Sequence, residues 1–293
     1  MRRIAGYRVP VPTFRFEGRR IAYSEFGSGS QAVVLIHGLL LSQRMHEPLA
    51  AALAARGHRV VTIDLLGHGR SERPTEPWCY SVPIFAGQVV GLLDRLALDE
   101  AAILGTSLGA NITLEVCRIA PERVRGMVIE MPVLDHALIA SVIAFTPLAL
   151  MLTFGGPVAR LAVAAARAVP QGALPFWGDV LLDTARQEPK PSSAVMQGLF
   201  SGRIAPNSLQ RRELKAPTLV IGHRRDPVHP LTDAGMIVDE LPNARLVEAR
   251  SILERVVSPQ RLTGEIGAFL DACWKADQRQ TRRPRAVGAT RPA

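Results

Sequence analysis

Leu104-Gly105-Thr106-Ser107-Leu108-Gly109-Ala110-Asn111 sets a serine between two glycines, each two residues away. Ala101-Ala102-Ile103-Leu104, leading into it, reads as a short buried strand, and the apolar residues from Leu108 to Ala120 recur at helical spacing until Pro121 ends the pattern. A serine on so sharp a strand-to-helix turn presents its hydroxyl to solvent, and Gly105 and Gly109 leave room for the close backbone approach the turn needs. Ser107 is therefore the candidate nucleophile.

Outward from this turn, strands and helices alternate, which predicts an α/β fold with a mostly parallel twisted sheet covered by helices on both faces. Thr13 to Phe16 and Arg20 to Phe26 flank Glu17-Gly18 as a hairpin, and Gln31 to Ile36 is a buried strand ending in His37-Gly38. A helix follows from about Glu47 to Arg56, with Pro48 in its first turn and Gly57 at its stop. Arg59 to Asp64 is the next strand, and Ile84 to Leu96 the next helix. Beyond the serine turn come strands Val124 to Glu130, Pro217 to Gly222 and Ala244 to Val247, then a helix from about Pro259 to Trp274.

Composition limits the function classes. With 293 residues, 47% of them hydrophobic, the chain can bury a sizeable core. Cys79, Cys117 and Cys273 are odd in number and far apart, so neither a disulfide framework nor a zinc site is expected. The basic start Met1-Arg2-Arg3 has no apolar segment of signal-peptide length behind it, which reads as a cytoplasmic protein. The formal charge of +9 invites a nucleic-acid reading. However, Lys275, Arg279, Arg282, Arg283, Arg285 and Arg291 against Asp277 alone supply +5 of it, and charge runs of this kind are usually solvated termini. No nucleic-acid partner is expected.

Three motifs, Leu35-Ile36-His37-Gly38, Asp64-Leu65-Leu66-Gly67-His68-Gly69-Arg70-Ser71 and the serine turn, stand in an order and at separations that resemble the α/β-hydrolase fold superfamily, in its branch of small esterases and lactonases. The resemblance covers about residues 14–132 and 213–274, leaving 133–212 as an inserted helical cap and 275–293 as a basic disordered tail. It implies an oxyanion hole from the N–H groups of Leu39 and Leu108, a loop-shaping role for His37, and a tight turn at Gly67-His68-Gly69. It also implies Asp226 as the acid, on the loop after the strand ending at Gly222. No metal or organic cofactor is implied, and a dehalogenase would need a carboxylate where Ser107 stands.

The same resemblance implies a histidine after the last strand, and the chain has none beyond His229. Counting back from Pro259 puts Ile252 in that place, which cannot accept a proton; Glu254 and Arg255 are unusual substitutes. Without a base a serine hydroxyl is a poor nucleophile at neutral pH. Three solutions stay open: His229, three residues past Asp226 on the same loop; His136 beside Asp135 at the cap entrance; or a fold that only binds ligands.

The cap contains an uncharged run from Ala137 to Ala159, of membrane-spanning length but interrupted by Pro147, Gly155, Gly156 and Pro157. It reads as two lid helices over an apolar pocket rather than as a stable membrane insertion, with Phe145 and Trp177 as substrate-binding candidates and Phe176, Met196 and Phe200 as further wall. The function expected is a hydrolase of a small lipophilic carboxylic ester or lactone, with Ser107, Asp226 and His229 as the catalytic set. The alternatives are a non-catalytic ligand-binding protein, or an acyltransferase or C–C hydrolase on the same scaffold. Oligomeric state is not legible.

Overall fold

The computed structural model describes residues 3–4, 7–8 and 11–281. Its centre is an eight-stranded sheet of β1 (Thr13–Phe16), β2 (Arg19–Phe26), β3 (Ala32–Ile36), β4 (Arg59–Asp64), β5 (Ala101–Thr106), β6 (Val124–Glu130), β7 (Thr218–His223) and β8 (Ala244–Ala249), in the order β8-β7-β6-β5-β3-β4-β2-β1. Strands β8 to β4 run parallel, and β2 and β1 close the far edge antiparallel. The β1–β2 hairpin turns on Glu17 and Gly18, both at positive φ as a two-residue hairpin loop requires.

The helices are α1 (Glu47–Ala55), α2 (Val82–Arg95), α3 (Leu108–Ile119), α4 (Asp135–Phe154), α5 (Gly156–Ala168), α6 (Phe176–Ala185), α7 (Pro189–Phe200), α8 (Ser208–Arg212), α9 (Leu231–Glu240), α10 (Glu254–Val257) and α11 (Gln260–Thr281). Strand β3 shows why the sheet needs cover on both sides. Its side chains alternate, with Val34 and Ile36 entering one core beside α2 and α3, and Val33 and Leu35 entering a second beside α1 and α11. Each such side chain, fully buried, contributes about 1.5–3 kcal/mol over its exposed state.

Most element boundaries shift by one or two residues from the sequence reading, and two differences are larger. Helix α11 continues past Trp274 to Thr281, so the start of the expected disordered tail is helical; residues 282–293 lie outside the described residues. Helix α4 runs through Pro147 without ending, and the break falls at Gly155–Gly156 instead, where Gly156 takes positive φ. The proline costs one i→i−4 hydrogen bond, and the apolar residues around it keep the helix going.

The insertion between β6 and β7 carries α4 to α8, and α4 packs against α5, α7 and α9. Only part of its apolar surface turns inward. Phe145, Leu148, Ala149 and Leu152 pack on the core, while Ile143, Leu150 and Phe154 stand exposed. The run does form two helices, and of α4 one face turns inward while the other faces out. Met196 is buried in the main core, and Phe200 is exposed.

Candidate active site

Ser107 stands where β5 meets α3, with φ 56° and ψ −117°, a left-handed conformation that a side chain rarely adopts. The flanking glycines make it possible. A Cβ on Gly105 would lie 1.9 Å from the Gly109 carbonyl oxygen, and one on Gly109 would lie 2.2 Å from that of Ile36. Both contacts are with backbone, which cannot swing aside. The turn is tied down by the Ser107 amide, which donates to the Glu130 carbonyl at 2.9 Å.

His229 Nε2 lies 2.9 Å from Ser107 Oγ, and His229 Nδ1 lies 3.0 Å from Asp226 Oδ2. A carboxylate only accepts, so Nδ1 carries the proton and Nε2 is free to accept from the serine hydroxyl. Asp226 Oδ1 in turn accepts from the amides of Val228 and His229 at 2.8 and 2.9 Å, an Asx turn that folds the loop back so that His229 faces the serine. Arg225, at φ 59°, begins that reversal. Burial raises the Asp226 carboxyl, but the His229 side chain and the loop amides outweigh it and hold it at about 2.

The amides of Leu39 and Leu108 donate to no acceptor among the described residues. Leu108 is the first residue of α3, where an N–H has no intrahelical partner and the helix dipole is positive. Leu39 lines the same cavity as Ser107, on a turn whose next residue, Leu40, is at φ 57°.

That cavity holds about 250 Å³ and is mostly apolar, with Leu41, Met45, Phe145, Trp177, Ile252 and Val256 in its wall. Phe145 comes from α4 and Trp177 from α6, so the cap supplies two of its sides. Phe176 does not join them: it sits under the Arg44 guanidinium in a separate, polar cavity of about 510 Å³. Ser107 does not line that larger space, and Arg44 and Arg186 within it are engaged by Asp179 and Asp183.

The other histidines are elsewhere occupied. His37 Nδ1 donates to the Gly38 carbonyl at 2.8 Å and its Nε2 accepts from the Leu65 amide at 3.1 Å; burial pushes its pKa down. His68 is buried against it, donates to the Leu66 carbonyl and is held well below its usual value, chiefly by burial. His136 binds Asp233 at 2.9 Å, and so does not serve Ser107.

Residues the sequence gave no reason to join are Glu130 and Arg255. Arg255 Nη1 donates to Glu130 Oε2 at 2.6 Å, and the Thr106 hydroxyl donates to the same oxygen at 2.7 Å, in the wall of the cavity beside Ser107. Burial opposes ionisation of Glu130, yet the Arg255 charge, His223 and Thr106 together hold it at about 2. Arg255 does not supply the implied histidine's chemistry, because its guanidinium only donates. Glu254 faces away, bound to Arg261 and the Arg250 amide. Among the described residues no three His, Cys, Asp or Glu side chains are grouped to hold a metal.

Residues 31–251 match the family described as alpha/beta hydrolase fold. The chain is 32% identical over 123 residues to epoxide hydrolase 2 of Siraitia grosvenorii, covering 41% of this chain and 38% of that protein. It is 35% identical over 96 residues to epoxide hydrolase B of Mycobacterium tuberculosis, covering 33% of this chain and 27% of that protein. These matches span well under half of either relative. Among solved structures it resembles the enol-lactonase of Burkholderia xenovorans, with TM-score 0.71 and 22% identity over 89% of this chain and 100% of that one. A hydrolase from Pseudomonas aeruginosa is similar at TM-score 0.73 and 23% identity, over 91% and 99% of the two chains. At these identities the likeness is one of fold.

Proposed function

The chain belongs to the alpha/beta hydrolase fold family, and from that premise we propose that it is a serine hydrolase of lipophilic carboxylic esters or lactones. The carrying observation is the unbroken hydrogen-bonded series Ser107–His229–Asp226 opening on an apolar cavity. At 2.9 Å, His229 Nε2 is within proton-transfer reach of the hydroxyl.

In this reading Ser107 Oγ attacks the acyl carbon as His229 Nε2 takes its proton. The carbonyl oxygen becomes an oxyanion, received by the Leu39 and Leu108 amides. His229 then gives the proton to the departing alkoxide, leaving an acyl-serine. Water attacks that ester with His229 again as base, and Ser107 leaves as its hydroxyl. Asp226 stays ionised throughout and stabilises the imidazolium. Each oxyanion donor is worth about 3–4 kcal/mol of barrier in such sites.

The apolar wall supports a lipophilic acyl group, and the fold likeness to an enol-lactonase keeps lactones in the class. The test is a fluorophosphonate adduct weighed on the intact chain, followed by turnover of p-nitrophenyl esters, a lactone and an epoxide. Wild type is expected to gain one adduct and Ser107→Ala none, with ester turnover following the label. A folded protein that takes no label, or that opens the epoxide and leaves every ester, would sink the reading.

A further inference from the structure

Helix α4 is long and apolar enough to cross a membrane, yet only 12% of its most apolar stretch is buried. Ile143, Leu150 and Phe154 recur at i, i+7 and i+11, which puts them on one side of the helix. Val158 and Leu161 extend the apolar surface onto α5, just past the Gly155–Gly156 joint. Four of these five are more than two-thirds exposed: Ile143 70%, Phe154 79%, Val158 69% and Leu161 72%. A water-facing patch of this kind on a folded chain marks a surface that something covers.

Charge says what covers it. Between His136 and Gly178 the sequence contains no aspartate or glutamate, while α5 contributes Arg160 and Arg167. Arg167 is paired with Glu188, and Arg160 is exposed with no acidic partner among the described residues. A symmetric pairing of two copies would bring this patch against itself, Arg160 towards Arg160, with Glu188 already taken by Arg167. An anionic bilayer surface offers both missing parts, acyl chains for the apolar side chains and a phosphate for Arg160.

We propose that the outer face of the cap, α4 and α5, seats on the surface of an anionic membrane, with the helices lying in the interface. A crossing orientation does not fit, because the opposite face of α4 carries Phe145, Leu148, Ala149 and Leu152 against the core. The same helix therefore meets lipid on one side and walls the Ser107 cavity with Phe145 on the other. This docking is independent of the hydrolase reading, since it needs no chemistry at Ser107.

Flotation of the full chain with vesicles tests it, using phosphatidylcholine containing about a third phosphatidylglycerol, and phosphatidylcholine alone. Wild type is expected to float with the anionic vesicles and to be released by high salt. Ile143→Asp/Phe154→Asp is expected to lower the bound fraction about tenfold with turnover of a soluble short-chain ester unchanged. Val158→Asp/Leu161→Asp gives the same reading through α5 should the first pair fail to fold. Wild type that stays with the protein fraction, variants that float as well as wild type, or a dimer in solution that these variants split would each overturn the proposal. Loss of ester turnover in Ser107→Ala with flotation intact separates the two readings.

Discussion

Ser107 Oγ and His229 Nε2 meet at 2.9 Å although the histidine comes from the loop after β7, directly behind its own acid, and not from the loop after β8. Replacing His229 by alanine is expected to lower kcat/KM for a p-nitrophenyl ester by at least about 10⁴-fold. Ile252→Ala, at the position where the histidine was implied, should stay within about tenfold of wild type. Steady-state kinetics on the two variants decide between these positions.

Asp226→Asn keeps the shape of the loop and removes the charge that fixes His229. Nδ1 then faces an amide able to donate, and the tautomer offering Nε2 to the serine is no longer enforced. A loss of about 10⁴-fold in kcat near pH 7 is expected, with little change in melting temperature. Activity above a tenth of wild type would remove Asp226 from the mechanism.

The Glu130–Arg255 pair should be visible in acid. The carboxyl is held at about 2, below the 4.5 of an unperturbed glutamate, so its contribution to stability is complete above pH 4.5. It is lost as the pH falls from there towards 2. Urea unfolding of wild type should weaken across that window more steeply than Glu130→Gln, which has no carboxyl to titrate. At pH 7, Glu130→Gln also takes the carboxylate from a part-buried guanidinium and is expected to be less stable by about 1.5–3 kcal/mol.

Gly109→Ala is a test of the turn itself. Its Cβ would meet the Ile36 carbonyl oxygen at 2.2 Å, and neither β3 nor α3 can yield without disturbing the sheet. A loss of at least about 2 kcal/mol in unfolding free energy is expected, together with most of the fluorophosphonate labelling. Gly264→Ala, which would meet nothing within 4 Å, is the control.

Trp177→Ala should change which ester is preferred rather than whether esters are cleaved. The indole closes one side of a cavity of about 250 Å³, and removing it lengthens the space open to an acyl chain. Across acetate to decanoate esters, the best kcat/KM is expected to move to longer chains, with each well-buried methylene worth about 1–3 kcal/mol. An unchanged preference would take Trp177 out of the acyl site.

What could be read in advance followed periodicity and steric need. The strands around β3, the hairpin at Glu17-Gly18 and the glycines about Ser107 leave local marks, because alternation and close approach act on neighbouring residues. The path of the 223–230 loop left none. Whether His229 reaches the serine depends on Arg225 entering the left-handed region and on Asp226 capturing two amides, and flanking Pro227 and Pro230 fit several courses. The Glu130–Arg255 pair was hidden likewise, since its members are far apart in sequence and meet only when α10 packs over the end of β6. The outward face of α4 defied the composition rule, because an apolar residue marks burial only when something is there to bury it.

In the proposed mechanism, holding acid and base on one short stretch between Arg225 and Pro230 makes them a cassette. In a layout with the two on different loops, each loop can loosen without moving the other. Here a displacement of the stretch would carry both away together and leave Ser107 an ordinary alcohol. The same economy makes the stretch portable: grafted after the corresponding strand of a related sheet whose own histidine has been removed, it brings the whole proton-handling apparatus in a single splice.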